Sequence, residues 1–301
     1  MSNPPPLLIQ TIPAWKGRTI ESILRRELRL SRKQVIALKK SNGILLNGSS
    51  VRIKEALSGN EELVLQIPLT SEQHFIPENI PLSIIYEDPD LIVIDKPVGM
   101  LVHPVRFHTT GTLANALAYH WQTTGEAASF HPVHRLDKLT SGLLLVAKSS
   151  WSHQQLSLQI KEEQMRRIYL AITDGAPPMN NGIISVPIKR GEVGIKRIVE
   201  AGGQEALTHY RVIQKTEHAA LLLLRLITGR THQIRVHLSH LGSALWGDPL
   251  YGRVDEKLSR PALHAAAIRF KHPRTNQRLR FRSSLPQDLH DLGRFLGLFR
   301  T

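Results

Sequence analysis

The amino-acid sequence predicts an α+β protein in two parts, a small helical-hairpin unit followed by a larger, strand-rich domain. Strand candidates in the larger part do not alternate regularly with helices, which argues against a doubly wound parallel sheet. Arg18 to Lys40 shows helical spacing and capping signals, whereas from Ile84 onward the pattern changes to short apolar runs. With 301 residues, 41% of them hydrophobic, the chain can bury a sizeable core.

Residues 1–17 contain Pro4-Pro5-Pro6 and read as a flexible lead-in. Thr19 is placed to cap a helix whose apolar positions Ile20, Ile23, Leu24 and Leu28 follow helical spacing. Ser31 and Gln34 form a capping-box pair that opens a second helix, through Val35 and Leu38 to Lys40. Ser41-Asn42-Gly43 ends it and Ile44-Leu45-Leu46 begins a strand. Asn47-Gly48 is a hairpin turn, with a return strand expected near Val51 to Ile53. This unit spans 18–69, and 70–81 reads as a polar, proline-bounded linker. The main domain then occupies 82–301. Leu91 to Asp95 is a buried strand running into the turn chemistry of Lys96-Pro97-Val98-Gly99. Further strands are expected over Leu143 to Ala147, Tyr169 to Thr173, Ala220 to Leu226 and Leu279 to Phe281. Helices are expected over Thr112 to His120, Ser152 to Lys161 and Thr231 to Leu241.

Lys and Arg total 39 against 25 Asp and Glu, a formal charge of +14. Such an excess favours a polyanionic partner, nucleic acid ahead of an anionic membrane. Between Arg18 and Lys40 stand Arg18, Arg25, Arg26, Arg29, Arg32, Lys33, Lys39 and Lys40, opposed only by Glu21 and Glu27. A solvated helix face mixes signs more evenly, so these helices present a surface suited to a phosphate backbone. The absence of cysteine excludes disulfides, thiol catalysis and cysteine-ligated zinc, and fits a reducing compartment. The N-terminus lacks the charged and apolar regions of a secretory signal. The densest apolar run, Ala219 to Leu224, is far short of the roughly 20 residues that span a bilayer. These features predict a cytoplasmic protein without a membrane partner, taken as a monomer.

The chemistry concentrates in His134-Arg135-Leu136-Asp137-Lys138-Leu139-Thr140-Ser141-Gly142. There one carboxylate, Asp137, lies among the ionisable neighbours His134, Arg135 and Lys138, an arrangement that favours a ready nucleophile or base. A second segment, Leu226 to Leu238, sets Arg230 in a Thr-Gly turn and Arg235 on the flank of the stripe Ile234, Leu238, Leu241. Arg230 is free to reach another segment's carboxylate, and Arg235 reads as a backbone or phosphate contact. Tyr169 opens an apolar strand. Competing motifs fail. Ser49 stands where a phosphate-binding loop that began at Gly43 would need lysine, and no dinucleotide or nucleophile-elbow glycine pattern occurs. His131 and His134 have a proline between them and no accompanying glutamate motif, so neither cofactor nor metal is expected.

Taken together, these segments resemble the RluA-type pseudouridine synthases. The resemblance rests on Tyr86 to Pro97 and Val102-His103-Pro104, on His134 to Gly142, and on Tyr169. It continues through Gly229 to His237, Leu263-His264-Ala265, Phe270 to Pro273 and Leu285-Pro286. The N-terminal unit is similar to the alpha-L RNA-binding domain, which commonly precedes such a core. The resemblance implies a mixed, largely antiparallel catalytic sheet and isomerisation of uridine within RNA. Large-subunit ribosomal RNA is the expected substrate; transfer RNA and a non-catalytic RNA-binding role are the alternatives. It implies Asp137 as the essential aspartate, adding to the anomeric carbon or removing the neighbouring ribose proton; the residues leave both routes open. It further implies that Arg135 fills the space the base vacates. Tyr169 would face the uracil and assist the last proton removal, and Arg230 would pair with Asp137. The chain departs from the pattern at Arg167, where the family usually carries lysine.

Overall fold

The computed structural model describes residues 5–68, 75–106, 108–192 and 194–299. The N-terminal unit runs β1 (Leu7–Gln10), α1 (Ile20–Arg26), α2 (Arg32–Lys40), β2 (Ile44–Leu46), β3 (Ser49–Ser50) and β4 (Glu62–Leu65). Thr19 accepts a hydrogen bond from the Ser22 amide, and Ser31 and Gln34 complete their reciprocal box, so both helices start where their caps are. Asn47 and Gly48 both take positive φ, the geometry of a tight hairpin turn. The return strand is Ser49–Ser50, a little earlier than expected.

The lead-in reading is corrected at Leu7–Gln10. These residues pair with β4 as an antiparallel edge strand, because Leu7 buries its side chain in the same apolar cluster as Ile20, Leu24 and Leu38. Residues 1–4 of the predicted lead-in and 70–74 of the predicted linker lie outside the described residues. The rest of that linker is fastened to the main domain: Phe75 packs on its core, and Asn115 donates to the Ile76 carbonyl at 2.9 Å.

The main domain continues with β5 (Ile84–Glu87), β6 (Leu91–Lys96), α3 (Leu113–Thr124), β7 (His131–Pro132), β8 (Ser141–Ala147), α4 (Ser150–Lys161) and β9 (Arg166–Asp174). It then adds β10 (Asn181–Ser185), β11 (Ile188–Arg190), β12 (Arg197–Val199), β13 (Leu207–Lys215) and β14 (Ala219–Leu226). The last elements are α5 (Gln233–His240), β15 (Leu263–Lys271), β16 (Arg278–Arg282) and α6 (Gln287–Phe295). The ten-stranded sheet follows the order β10-β13-β14-β9-β15-β8-β6-β5, with β16 on β15 and β7 on β8. Among the described residues its one parallel pair is β8 with β15, so the sheet is mixed and largely antiparallel.

Strands β6 and β8 are covered on both faces, which explains their unbroken apolar runs. Ile92, Ile94, Leu144 and Val146 meet Leu113, Leu117 and Trp121 on one face. Leu91, Val93, Leu143 and Leu145 meet Leu156 and Ile160 on the other. At the parallel contact Gly142 has φ +107°, and a Cβ there would lie 2.4 Å from the Ala265 carbonyl oxygen. Only glycine lets the strand that follows Asp137 approach β15 so closely. The N-terminal unit docks along α4. Trp151 enters its apolar core, Gln155 donates to the Leu28 carbonyl at 3.0 Å, and Glu162 pairs with Arg29 at 2.5 Å.

Candidate active site

Asp137 sits on the loop between β7 and β8. The loop is stapled at two points. Thr140 donates to the Asp137 carbonyl at 3.0 Å, and Gly99 donates to the Lys138 carbonyl at 2.9 Å. Beneath it Lys96, fully buried, aims its ammonium at the carbonyls of Pro97 (2.8 Å), Met100 (3.0 Å) and Lys138 (3.4 Å). Burial pushes the Lys96 ammonium down to about 8, against the pull of the Asp137 charge. The sequence offered Lys96-Pro97 as turn chemistry and as the end of a motif; its role in tying the aspartate loop to the 97–100 turn required the fold.

The partner of Asp137 differs from the expectation. Arg235, not Arg230, reaches it: Nη1 of Arg235 lies 3.4 Å from Asp137 Oδ2. Arg230 instead donates through Nε to the Glu205 carbonyl at 2.9 Å, because its turn carries the side chain away from the loop. Arg235 is on the first turns of α5, whose inner face is buried, and its guanidinium is 7% exposed. It is no surface cation. Its Nε and Nη2 form a two-point pair with the carboxylate of Asp248, each at 2.8 Å. Burial opposes the charged guanidinium, but the hydrogen bonds and charges of Asp248 and Asp137 prevail and raise it above its ordinary range.

Asp248 is the residue that sequence reasoning missed. It is fully buried and also accepts from the amides of Leu250 (3.0 Å) and Tyr251 (3.2 Å). Its signal was an acid following Leu245-Trp246-Gly247 in a chain with few acids to spare. Tyr251 completes the support. Its ring lies 5.0 Å from the Arg235 guanidinium, and its phenol hydrogen-bonds His232 Nδ1 at 2.9 Å. The other ring nitrogen of His232 is 3.9 Å from Asp137 Oδ2. Gln233 fixes the turn ahead of α5 by bonding Thr228, the Arg230 amide, the Leu207 carbonyl and Thr208.

Around the carboxylate Leu136, Leu226, Ile234 and Leu263 form apolar walls and Tyr169 lines the same small cavity, with Arg135, Arg230 and His232. Arg135 is exposed at the edge. Tyr169 is 4% exposed; burial raises its phenol, as does the Asp137 charge, while Arg167 opposes. Arg167 occupies the lysine position of the resemblance and donates to the carbonyls of Ile227 (2.9 Å) and Thr228 (3.2 Å). It therefore ties β9, which carries Tyr169, to the turn ahead of α5.

The N-terminal cations line a different part of the molecule and none borders the Asp137 cavity. Several are held by protein groups: Arg18 by Glu27 at 2.8 Å, Arg29 by Glu162, and Arg25 by the Leu30 carbonyl. Arg26, Arg32 and Lys33 remain exposed. Asp88, Asp90 and His272 approach one another closely, but beyond the far ends of β6, β8 and β15 from Asp137. Their oxygens are taken up by Tyr86, His272, Ser152 and a two-point pair with Arg274, which makes the cluster a structural clasp.

An aspartate held by a buried cation, beside a buried tyrosine and several leucine and isoleucine side chains, has the ingredients of a catalytic site. Comparison with known proteins specifies which. Residues 90–240 match the RNA pseudouridylate synthase family, and residues 7–63 match the RluD ribosomal pseudouridine synthase N-terminal domain. The ribosomal large subunit pseudouridine synthase D of Zymomonas mobilis is 38% identical over 309 residues, covering 96% of each chain. The uncharacterized RNA pseudouridine synthase YjbO of Bacillus subtilis is 39% identical, over 88% of this chain and 95% of that one. Human RNA pseudouridylate synthase domain containing 4 superposes with a TM-score of 0.60 at 26% identity, covering 71% of this chain and 93% of that one. The chain belongs to the RluA-type RNA pseudouridine synthases, isomerases that act on RNA.

Proposed function

We propose that this enzyme converts uridine to pseudouridine in large-subunit ribosomal RNA, as a monomer in the cytoplasm, with Asp137 as the catalytic residue. The observation that carries the assignment of the site is the Asp248–Arg235–Asp137 chain, which holds one carboxylate in a small cavity lined by Tyr169 and by both apolar and polar side chains. The choice of ribosomal RNA rests on the relatives named as ribosomal large-subunit enzymes and on the basic N-terminal unit. Among the described residues no helix is long and apolar enough to cross a membrane.

The target uridine must first leave its stack, which costs a few kcal/mol. Arg135, exposed at the edge of the slot, can enter the vacated space and stack on the neighbouring bases. Leu226, Ile234 and Leu263 then exclude water from the uracil, and Tyr169 faces it. Since burial raises the Tyr169 phenol, it is protonated at neutral pH and is a better hydrogen-bond donor than base. Asp137 either adds to C1′ or takes the C2′ proton; in both cases the N1–C1′ bond breaks. The held uracil turns and C5 bonds to C1′, either as the Asp137 carboxylate leaves C1′ or as Asp137 returns the proton to C2′; the C5 proton is then lost as N1 gains one, so no atoms are gained overall. Deleting the gene and mapping pseudouridines chemically in ribosomal and transfer RNA tests the substrate. Loss of one or more large-subunit positions is expected; loss confined to transfer RNA would replace the substrate.

A further inference from the structure

Beside the Asp137 site lies a second cavity of about 450 Å³, between the β11–β12 hairpin and the turn that carries Arg230. Its charged lining is wholly basic: Lys189, Arg190, Arg197 and Arg230, with Thr231, Gln204, Gly202 and Gly203 around them. Lys189 is neutralised by Glu200 at 2.5 Å. Among the described residues Arg190, Arg197 and Arg230 have no such acidic partner. Arg190 and Arg197 stand directly opposite each other in the β11–β12 register, where like charges are destabilising. Among the described residues Arg197 Nε is buried with no hydrogen-bond partner, and Arg230 spends only its Nε, on the Glu205 carbonyl. Unneutralised guanidinia at one concave site are the complement of a phosphate, for which arginine has the matching fork of donors.

The position of the cleft narrows the ligand. Arg230 borders both this cleft and the Asp137 cavity. The Tyr251 phenol accepts from the Arg197 amide at 2.7 Å while bonding His232, which neighbours Asp137. A phosphate held here would belong to the strand whose nucleotide enters the slot. We infer that Arg190, Arg197 and Arg230 form a phosphodiester subsite that grips the RNA backbone beside the target uridine. The inference rests on the RNA-modifying reading above. It moves Arg230 from partner of the aspartate to anchor of the strand, and gives the β11–β12 hairpin a substrate-positioning role.

The test uses the full chain, the double variant Arg190→Gln/Arg197→Gln, and Arg294→Gln as a charge control on α6. Binding of a short fluorescein-labelled oligouridylate is measured against salt, and pseudouridine formation on unmodified large-subunit RNA is measured in parallel. Each lost contact to a single strand should lower the slope of log affinity on log salt by about 0.7. The double variant should therefore lose about 0.7 to 1.4 of slope and raise KM on the order of tenfold with kcat little changed. Its melting temperature should be unchanged or higher, since it relieves the facing arginines; a merely structural role predicts a lower one. A slope and KM matching those of the Arg294 control would overturn the subsite. Displacement of the oligouridylate by an equal concentration of inorganic phosphate would overturn it too, by marking a free-anion site. If the parent protein makes no pseudouridine in any RNA yet the double variant still loses slope, the enzymatic reading fails and the backbone grip stands.

Discussion

Replacing Arg235 by glutamine should separate the stability of the site from its chemistry. Arg235 donates three hydrogen bonds, two to the fully buried Asp248 and one to Asp137. Its loss strands Asp248 as a buried, uncompensated charge, a change that costs roughly 3–5 kcal/mol. Asp137 loses one charge-assisted hydrogen bond, worth about 1.5–3 kcal/mol, or on the order of ten- to a hundredfold in rate if the contact persists in the transition state. The double variant Arg235→Gln/Asp248→Asn removes the stranded charge as well. It should recover most of the lost stability in urea denaturation and none of the lost rate. The rate can be read as tritium released from C5 of labelled uridine, since every turnover expels that hydrogen. Recovery of rate along with stability would refute the reasoning, because it would make Arg235 a packing residue only.

Other expectations follow from particular contacts. Gly142→Ala places a methyl group against the Ala265 backbone at a positive φ and should lower the urea midpoint by the equivalent of about 2–4 kcal/mol. Trp151→Ala should cost about 3–5 kcal/mol at the docked face and split one melting transition into two, read by calorimetry. Burial pushes the Asp88 carboxyl up, but hydrogen bonds from His272, Tyr86 and the Asp90 and Leu91 amides outweigh it and hold it at about 2. A depressed carboxyl stabilises the fold above its unfolded value near 4 and loses that contribution as pH falls toward 2. The acid limb should therefore carry about 2 kcal/mol that Asp88→Asn removes, as seen in stability measured across pH 2 to 5.

Local signals in the sequence settled most elements that own their caps and turns. Thr19, Ser31 with Gln34, and Asn47-Gly48 each act within a few residues, so the N-terminal helices and hairpin were legible. The buried strands around Leu91 and Leu143 were legible because both their faces are covered. What failed was long-range. Leu7–Gln10 became a strand only because β4 offers it an edge, and Pro4-Pro5-Pro6 hid this. The site shows the same division: Asp137 and Tyr169 line one cavity as the motifs implied, but which arginine reaches the carboxylate depended on how α5 is turned. The αL conformation of His232 starts that helix after the Arg230 turn, leaving Arg235 on the buried side and Arg230 facing out. Asp248 belongs to no segment that the sequence singled out, so the support of Arg235 could be found only in the fold.

The proposed isomerisation depends on the carboxylate of Asp137. Asp137→Asn keeps the shape of the side chain and removes its basicity, and the decisive measurement is tritium release from C5-labelled ribosomal RNA under single-turnover conditions. No release above background is predicted, with affinity for the RNA within a fewfold of the parent protein. Release at the parent rate would contradict the assignment of Asp137 as the residue that acts on the ribose.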